Sequence, residues 1–492
     1  MTAPATTEYE VVIGMEVHAQ ILTKSKMFCS CAIPRNDAPA NTHVCPVCLG
    51  MPGVLPVINR QAVEHTIMTG LALNCTIPER AKFDRKNYHY PDLMKGYQIS
   101  QYDLPLCRAG TLDIEVDGRT KRIGVHRVHL EEDTARHRQR TNAAGEEYSL
   151  IDVNRSGLPL MEIVSEPDIR SGQEARAYLT KLQQILRYVG ASQANMDEGN
   201  MRCEPNVSIR PFGQPEFGTK VELKNLNSFR AVELGIDYEV ERQRELIESG
   251  QRVAQETRGW REDEGKTVSQ RSKEGAEDYR YFPEPDLPTL HISSEYVEEL
   301  RAKLPELPDA RLHRFMEQYG LSGYEANLLT ATRAKADFYE AAVGTAGHAA
   351  AQRAKAIANW MLGDFARLMN ASDIEISESR VQPKDLHDLI VLIERGTITT
   401  TGAKTVFEAM FNTGKAPEAI VQEDGLAQIN DGSELSSVIE KVIEANTKPV
   451  ADYLGGKEEA LKFLVGQVMR ETRGRAKADL VLDLLANELA KR

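Results

Sequence analysis

The chain contains no apolar run approaching the roughly 20 residues a membrane-spanning helix needs, which excludes a helical membrane protein. Residues 1–8 carry neither the basic start nor the apolar core of a secretion signal, so the expected location is the cytoplasm. Cysteine is scarce, with 7 among 492 residues, and a disulfide scaffold is excluded. Positive charge is in deficit. A formal net charge of −13 rules out a protein coated in non-specific nucleic-acid affinity, while leaving room for a local basic face on RNA. Two common catalytic signatures are missing as well. There is no His-Glu-x-x-His helix, and Gly259-Trp-Arg-Glu-Asp-Glu-Gly-Lys-Thr267 is no phosphate-binding loop. Its spacing is one residue too long, and three acids stand where backbone donors should meet phosphate.

What is present is an ordinary soluble composition, 41% hydrophobic, in a chain too long for a single core. Strand-like alternation dominates the first three-fifths, and from about Val297 the texture turns helical. An α+β protein of three domains is expected, with boundaries near 294 and 400.

The chemistry concentrates in a few strands. Lys121–Asp133 alternates so that Glu132 shares a side with Val128 and Leu130, whereas His129, Glu131 and Asp133 lie on the other. A carboxylate on an apolar side needs a cation or hydrogen-bond donors, and magnesium is one candidate. In Tyr9–Ile21, alternation sets Glu16, His18 and Gln20 against Ile13, Met15, Val17 and Ala19, so Glu16 and His18 are candidates to converge on the same ion. Leu160, Glu162, Val164 and Glu166 share a side of a further strand, adding acidic candidates. Asp117-Gly118 predicts a tight hairpin into the Lys121 strand, and Arg202–Arg210 with Thr219–Asn225 predicts another whose charged side suits either solvent or metal and phosphate together. Phe83–Asp103, rich in Tyr, Lys, Arg and Asn, reads as a surface or recognition loop.

Cys29, Cys31, Cys45 and Cys48 form two close pairs around the loop Ala32–Val44, which predicts a closed, structural zinc knuckle. Cys75, Cys107 and Cys203 read as small buried hydrophobes. Near the C-terminus, Arg470, Arg473, Arg475 and Lys477 surround Gly474, a pattern equally suited to a solvated turn and to an RNA backbone contact.

Five motifs taken together resemble one family. Ile13-Gly-Met-Glu-Val-His18, Phe83-Asp-Arg-Lys-Asn-Tyr88 with Tyr97-Gln-Ile-Ser-Gln101, Asp152-Val-Asn-Arg-Ser-Gly-Leu-Pro-Leu-Met-Glu-Ile163, Glu222-Leu-Lys-Asn-Leu-Asn-Ser228 and Asp278-Tyr-Arg-Tyr-Phe-Pro-Glu-Pro-Asp286 are similar to the B subunits of bacterial aspartyl/glutamyl-tRNA amidotransferases. The resemblance spans the chain and implies an antiparallel-sheet cradle domain (1–294, with the knuckle at 29–48), an all-α helical domain (295–400) and an all-α, tRNA-binding tail domain (401–492). It implies a ligase working beside an amidase A subunit and a small C subunit on misacylated Glu-tRNA(Gln) and/or Asp-tRNA(Asn). ATP and magnesium would phosphorylate the side-chain carboxylate of the attached amino acid, and ammonia would displace the phosphate. Carried over, His18 and Glu132 match metal ligands and catalytic residues, with Glu16 joining them and Glu162 added from the acidic strand. The cysteine box matches a structural zinc site of some members, and Arg470, Arg473 and Lys477 are assigned to tRNA. Met94 departs from the family where many relatives have proline, which bears on local loop shape. The alternative is a tRNA-binding scaffold without catalysis, which would tolerate loss of the carboxylates. A metal hydrolase is disfavoured by the lack of a nucleophile–base pairing.

Overall fold

The computed structural model describes residues 8–35, 37–272, 278–344, 350–427, 429, 432–472 and 474–491. The chain divides between Leu307 and Pro308 into two compact units, the first built on a sheet and the second from helices. An α+β protein results, as the sequence implies.

The first unit is organised by an eight-stranded sheet made of β1 (Tyr9–Gln20), β2 (Cys107–Val116), β3 (Arg119–Glu132), β4 (Pro159–Ser165), β5 (Met201–Pro211), β6 (Val221–Lys224), β7 (Glu256–Arg261) and β8 (Lys266–Ser272). Their spatial order is β8-β7-β6-β5-β1-β4-β3-β2, which puts β1 in the interior with β5 on one side and β4 on the other. The hairpin predicted at Asp117-Gly118 joins β2 to β3, pairing Val116 with Arg119. Both turn residues have positive φ, 52° and 73°, as a two-residue hairpin turn matched to strand twist requires. The predicted pairing of β5 with β6 is present too, through Asn206–Glu222 and Val207–Val221.

One pair departs from the antiparallel expectation, since β6 and β7 run parallel. The reason is the 20-residue helix α3 (Phe229–Glu248), which returns the chain to the end of the sheet where β6 began. Ahead of it lie α1 (Arg60–Ala72), capped by the Asn59 side chain, and α2 (Gly172–Val189), capped by Ser171 and ended by Gly190 at φ 74°. These helices cover one side of the sheet. Ile13, Met15, Val17 and Ala19 of β1 are fully buried beneath them together with Leu179, Leu182 and Leu186 of α2. Each such leucine contributes about 2 kcal/mol by leaving water. The opposite side of the sheet is thereby left for polar residues.

Phe83–Asp103 is more ordered than a surface loop. Asp84–Asn87 and Tyr97–Ser100 pair with each other, and Phe282–Pro283 joins Asp84–Asn87 as a third strand. The first core extends through Leu300 on α4 (Ser294–Ala302), so the sheet unit runs past the expected boundary at 294. In the second unit one apolar cluster reaches from Phe315 to Leu426 and another from Ile429 to Leu489. The helix Thr400–Thr413 gives Ala403, Val406, Phe407 and Met410 to the former, which places the change of core after 426 instead of 400. The stretch Ala354–Met369 is helical with one π turn, Met361–Phe365, between Ala350–Trp360 and Ala366–Ser372.

Candidate active site

Strand register assembles the polar side of the sheet into rows. His18 pairs with Arg202 of β5 on one side and with Glu162 of β4 on the other, and Glu162 in turn pairs with His129 of β3. One step along, Glu204, Glu16, Val164 and Arg127 form the next row, and Glu222 of β6 lies beside Asn206 in the row after it. Five strands, β1, β3, β4, β5 and β6, therefore deliver carboxylates and imidazoles to a single cleft of about 470 Å³, joined there by Glu131. Lys86, Tyr88 and Gln98 line it from the small three-stranded sheet, and Tyr279 and Tyr281 from the segment after β8.

Two acidic groups stand out. In the first, His18 Nε2 is 3.3 Å from Glu162 Oε2 and 3.5 Å from Glu131 Oε1. In the second, Glu16, Glu204 and Glu222 bring carboxylate oxygens within 4.8 Å of one another. Asn206 donates to Glu16 Oε1 at 3.0 Å, and Lys224 reaches Glu204 at 2.9 Å. Burial and the neighbouring Glu162 and Glu204 push the Glu16 carboxyl above its usual range. Burial alone would lower the His18 pKa, but the hydrogen bond and charge of Glu162, with Glu131 behind them, raise it to about 9. Glu162 is held well below the carboxylate range, because His129 and His18 outweigh the cost of its burial.

Such crowding of like charge calls for cations. Ligand atoms around an octahedral magnesium at 2.0–2.1 Å are spaced by about 3 Å, near the separations between His18 and its two carboxylates. The first group, one nitrogen and two carboxylates, fits that ion, and the second, all oxygen, suits it by donor type.

Glu132 lies elsewhere. Adjacent residues of a strand point to opposite sides, so Glu131 enters the acidic cleft and Glu132 leaves it. Its Oε1 accepts from Lys95 Nζ at 2.5 Å and from the Ile99 backbone N–H at 3.0 Å. It lines a second cleft, of about 220 Å³, with Cys48, Gly50 and Tyr97. Of the residues singled out in the sequence, His18, Glu16 and Glu162 are thus brought to one cleft, and Glu132 is not brought to His18. Glu131, His129, Glu204 and Glu222 stand there instead. The alternation of β3 already contains the signal, having set Glu131 beside His129 and Glu132 with Leu130.

The four cysteines do meet, with every Sγ within 4.8 Å of the others and Cys45 Sγ 3.9 Å from Cys48 Sγ. A tetrahedral zinc with bonds of about 2.3 Å has edges of about 3.8 Å, so the thiols fit it. A hydrogen bond from Cys29 holds the Cys48 thiol low, and the same bond pushes the Cys29 thiol up while burial raises that of Cys31, so one thiolate is favoured among the four.

Comparison with known proteins decides the family. The model of the GatB/GatE catalytic domain matches residues 11–298, and that of the GatB domain matches 337–489. The B subunit of the aspartyl/glutamyl-tRNA(Asn/Gln) amidotransferase of Dehalococcoides mccartyi is 54% identical over 98% of this chain and 99% of its own length. The proteins of that name from Carboxydothermus hydrogenoformans and Thermomicrobium roseum are each 55% identical, again over 98% of this chain and 99% of theirs. The chain belongs to the GatB family. It is accordingly a subunit of a tRNA-dependent amidotransferase, a ligase that forms carbon–nitrogen bonds.

Both acidic groups and the cysteine box fall within the GatB/GatE catalytic match. The basic tail residues fall within the second GatB match, at a turn between the helices Glu459–Glu471 and Ala478–Leu489. Arg470 and Lys477 are positioned at its two edges, and Arg475 is spent on the Thr472 and Gly425 carbonyls. Arg473 lies outside the described residues.

Proposed function

We propose that the acidic cleft is where ATP phosphorylates the side-chain carboxylate of a glutamate or aspartate esterified to tRNA, before ammonia converts it to the amide. The observation that carries this reading is the convergence of His18, Glu131 and Glu162 with Glu16, Glu204 and Glu222 on one side of the sheet. A carboxylate is a poor electrophile at neutral pH. Transferring the γ-phosphoryl group forms a bond from a carboxylate oxygen to phosphorus and breaks the bond to ADP. Ammonia then attacks the acyl carbon, and phosphate leaves with that oxygen.

His18, Glu131 and Glu162 would hold one magnesium, and Glu16, Glu204 and Glu222 a second. Bound there, magnesium supplies neutralisation of triphosphate charge. The protein's own cations complete the surroundings. Lys86 lies 5.0 Å from the Tyr279 ring centre, Arg202 pairs with Asp133 at 3.4 Å, and Lys220 and Lys224 line the same cleft. They offer positive charge to an incoming polyanion in a partly dry site, where preorganised charge is most effective. Burial would lower the Lys86 pKa, but the field of Glu131 and Glu162 raises it, so Lys86 stays an ammonium.

The cysteine box would hold structural zinc, stapling the loop beside the second cleft. An amidase A subunit and a small C subunit are the proposed partners, the tail 401–492 the proposed tRNA-binding domain, and the cytoplasm the proposed location. Assembled enzyme given ATP, Glu-tRNA(Gln) and ammonium should form Gln-tRNA(Gln) and ADP together, and Glu131→Gln should stop both. Amide formation undiminished in His18→Ala and Glu131→Gln would favour a scaffold that binds tRNA without chemistry.

A further inference from the structure

Between β3 and β4 the chain leaves the large sheet as a two-stranded arm, Arg136–Thr141 paired antiparallel with Glu147–Asp152. The register pairs Arg136 with Asp152, Arg138 with Leu150 and Arg140 with Tyr148, so these six share one side. The other side carries His137, Gln139 and Thr141 against Ile151, Ser149 and Glu147. Among the described residues no carboxylate makes an ion pair with any of the three arginines. Arg138 and Arg140 are exposed, and so are Tyr148 at 45% and Leu150 at 50%. Three such arginines alternating beside an exposed tyrosine are unexpected in a chain of net charge −13.

The arm is rooted at the acidic cleft. Thr134, two residues before it, lines that cleft, and Arg155 clamps the root by donating to the Thr134 and Ala135 carbonyls at 3.0 and 3.2 Å. Asn41 donates to the Ile151 carbonyl at 3.2 Å and accepts from the Val153 N–H at 2.7 Å, tying down the returning strand. On the side away from the arginines, His137 and Ser149 bond at 2.7 Å, and Tyr90 packs edge-on against His137. At the tip, Asn142 Oδ1 accepts from the Ala144 and Glu146 N–H groups. Anchoring thus gathers on the His137 side and at the root, where Asp152 accepts from the Asn41 N–H at 3.1 Å, and Arg138, Arg140, Tyr148 and Leu150 are left open.

We infer that the arginine side of this arm is an RNA-backbone contact, which holds the phosphates of the acceptor stem while the aminoacyl end enters the acidic cleft. The inference rests on the reading of that cleft given above. Charge complementarity selects the occupant. Arginines two residues apart on a strand repeat at about 7 Å, on the order of the step between successive phosphates of one nucleic-acid strand. Guanidinium forks suit phosphate oxygens, and an exposed tyrosine offers a stacking or sugar-packing plane. A-form RNA hides its base edges in a deep, narrow major groove, so contact of this kind reads backbone and shape and not sequence.

The test uses the assembled amidotransferase with uncharged tRNA(Gln) and Glu-tRNA(Gln) as probes, comparing wild type with Arg138→Gln/Arg140→Gln and Tyr148→Ala, and with Gln139→Ala on the anchored side as control. Affinity should fall on the order of tenfold in the double arginine variant, and the slope of log K against log salt should flatten by about 1.4 to 1.8, since each phosphate contact contributes about 0.7 to 0.9. Turnover at saturating Glu-tRNA(Gln) should stay within twofold of wild type, and Gln139→Ala should leave both quantities unchanged. An unchanged affinity and salt slope in the double variant, with wild type binding tRNA normally, would overturn the inference and leave the cleft reading intact. Loss of the partner proteins on gel filtration with tRNA affinity preserved would also overturn it, assigning the arm to an acidic protein surface. Failure of the wild-type complex to bind either RNA would instead bring down the reading of the cleft on which the inference depends.

Discussion

Exchanging Glu131 and Glu132 one at a time for glutamine separates two neighbouring carboxylates by their surroundings. Glu131 Oε1 stands 3.5 Å from His18 Nε2, within the group proposed to hold magnesium. Even partners one shell removed from a metal typically change its affinity by 10- to 100-fold, so losing a direct carboxylate should cost at least about 100-fold, or roughly 3 kcal/mol. Glu132 Oε1 instead receives Lys95 Nζ at 2.5 Å and the Ile99 N–H at 3.0 Å. Glutamine there keeps an oxygen for Ile99 but leaves the Lys95 ammonium unpaired. Because Lys95 is 17% exposed and can turn toward solvent, the loss should be about 1 to 3 kcal/mol of stability. Magnesium titration by calorimetry, followed by thermal melting, reads both effects. Glu131→Gln should lose the metal with little change in melting temperature, and Glu132→Gln should melt earlier while keeping magnesium affinity within about threefold. The reverse pattern would refute the assignment of ligands by strand alternation.

Three further outcomes follow from other parts of the molecule. Elemental analysis should find one zinc per chain, lost in Cys45→Ser/Cys48→Ser, with faster proteolysis around residues 28–53 and a smaller effect on chemistry; wild type free of zinc after zinc-supplemented expression would count against the knuckle. Neutralising Arg470 and Lys477 to glutamine should weaken tRNA binding and flatten its salt dependence by about 1 to 2 while sparing turnover at saturating tRNA, and an unchanged salt slope would remove this turn from the RNA surface. Gly110→Ala should destabilise the sheet unit by about 1 to 3 kcal/mol in urea melts, because a Cβ there would overlap the Cys75 sulfur and stand 2.6 Å from the Leu73 carbonyl oxygen; an unaltered midpoint would show that β2 shifts freely.

Local signals carry far in this chain where one physical rule dominates. Period-two alternation locates Ile13, Met15, Val17 and Ala19 in the core, and Asp117-Gly118 marks the hairpin because few other dipeptides accept two positive φ values. The Ser171 cap and the Gly190 stop of α2 are legible for the same reason. Long-range register is not written locally. That His18 faces Glu162 and that Glu16 faces Glu204 depends on which strands flank β1, which single-strand periodicity does not contain. Family resemblance draws attention to Glu132, whereas the pleat delivers Glu131 to the cleft. The Phe83–Asp103 strands are hidden by their polar composition, since Lys86 and Gln98 line the cleft and Ile99 is the residue that turns to the core. Core boundaries near 307 and 426 differ from the expected 294 and 400 because α4 packs back onto α1 and the helix Thr400–Thr413 onto the helix Pro383–Glu394.

The measurement that bears most directly on the central claim follows one oxygen atom. Glu-tRNA(Gln) labelled with oxygen-18 in its side-chain carboxylate is turned over by the assembled enzyme with ATP and ammonium, and the released phosphate is analysed by mass spectrometry. Activation at the acidic cleft predicts one labelled oxygen in each phosphate formed with wild type, and none above background with Glu131→Gln, because the carboxylate oxygen that attacks phosphorus departs with it. Amide formation by wild type with unlabelled phosphate would contradict the account.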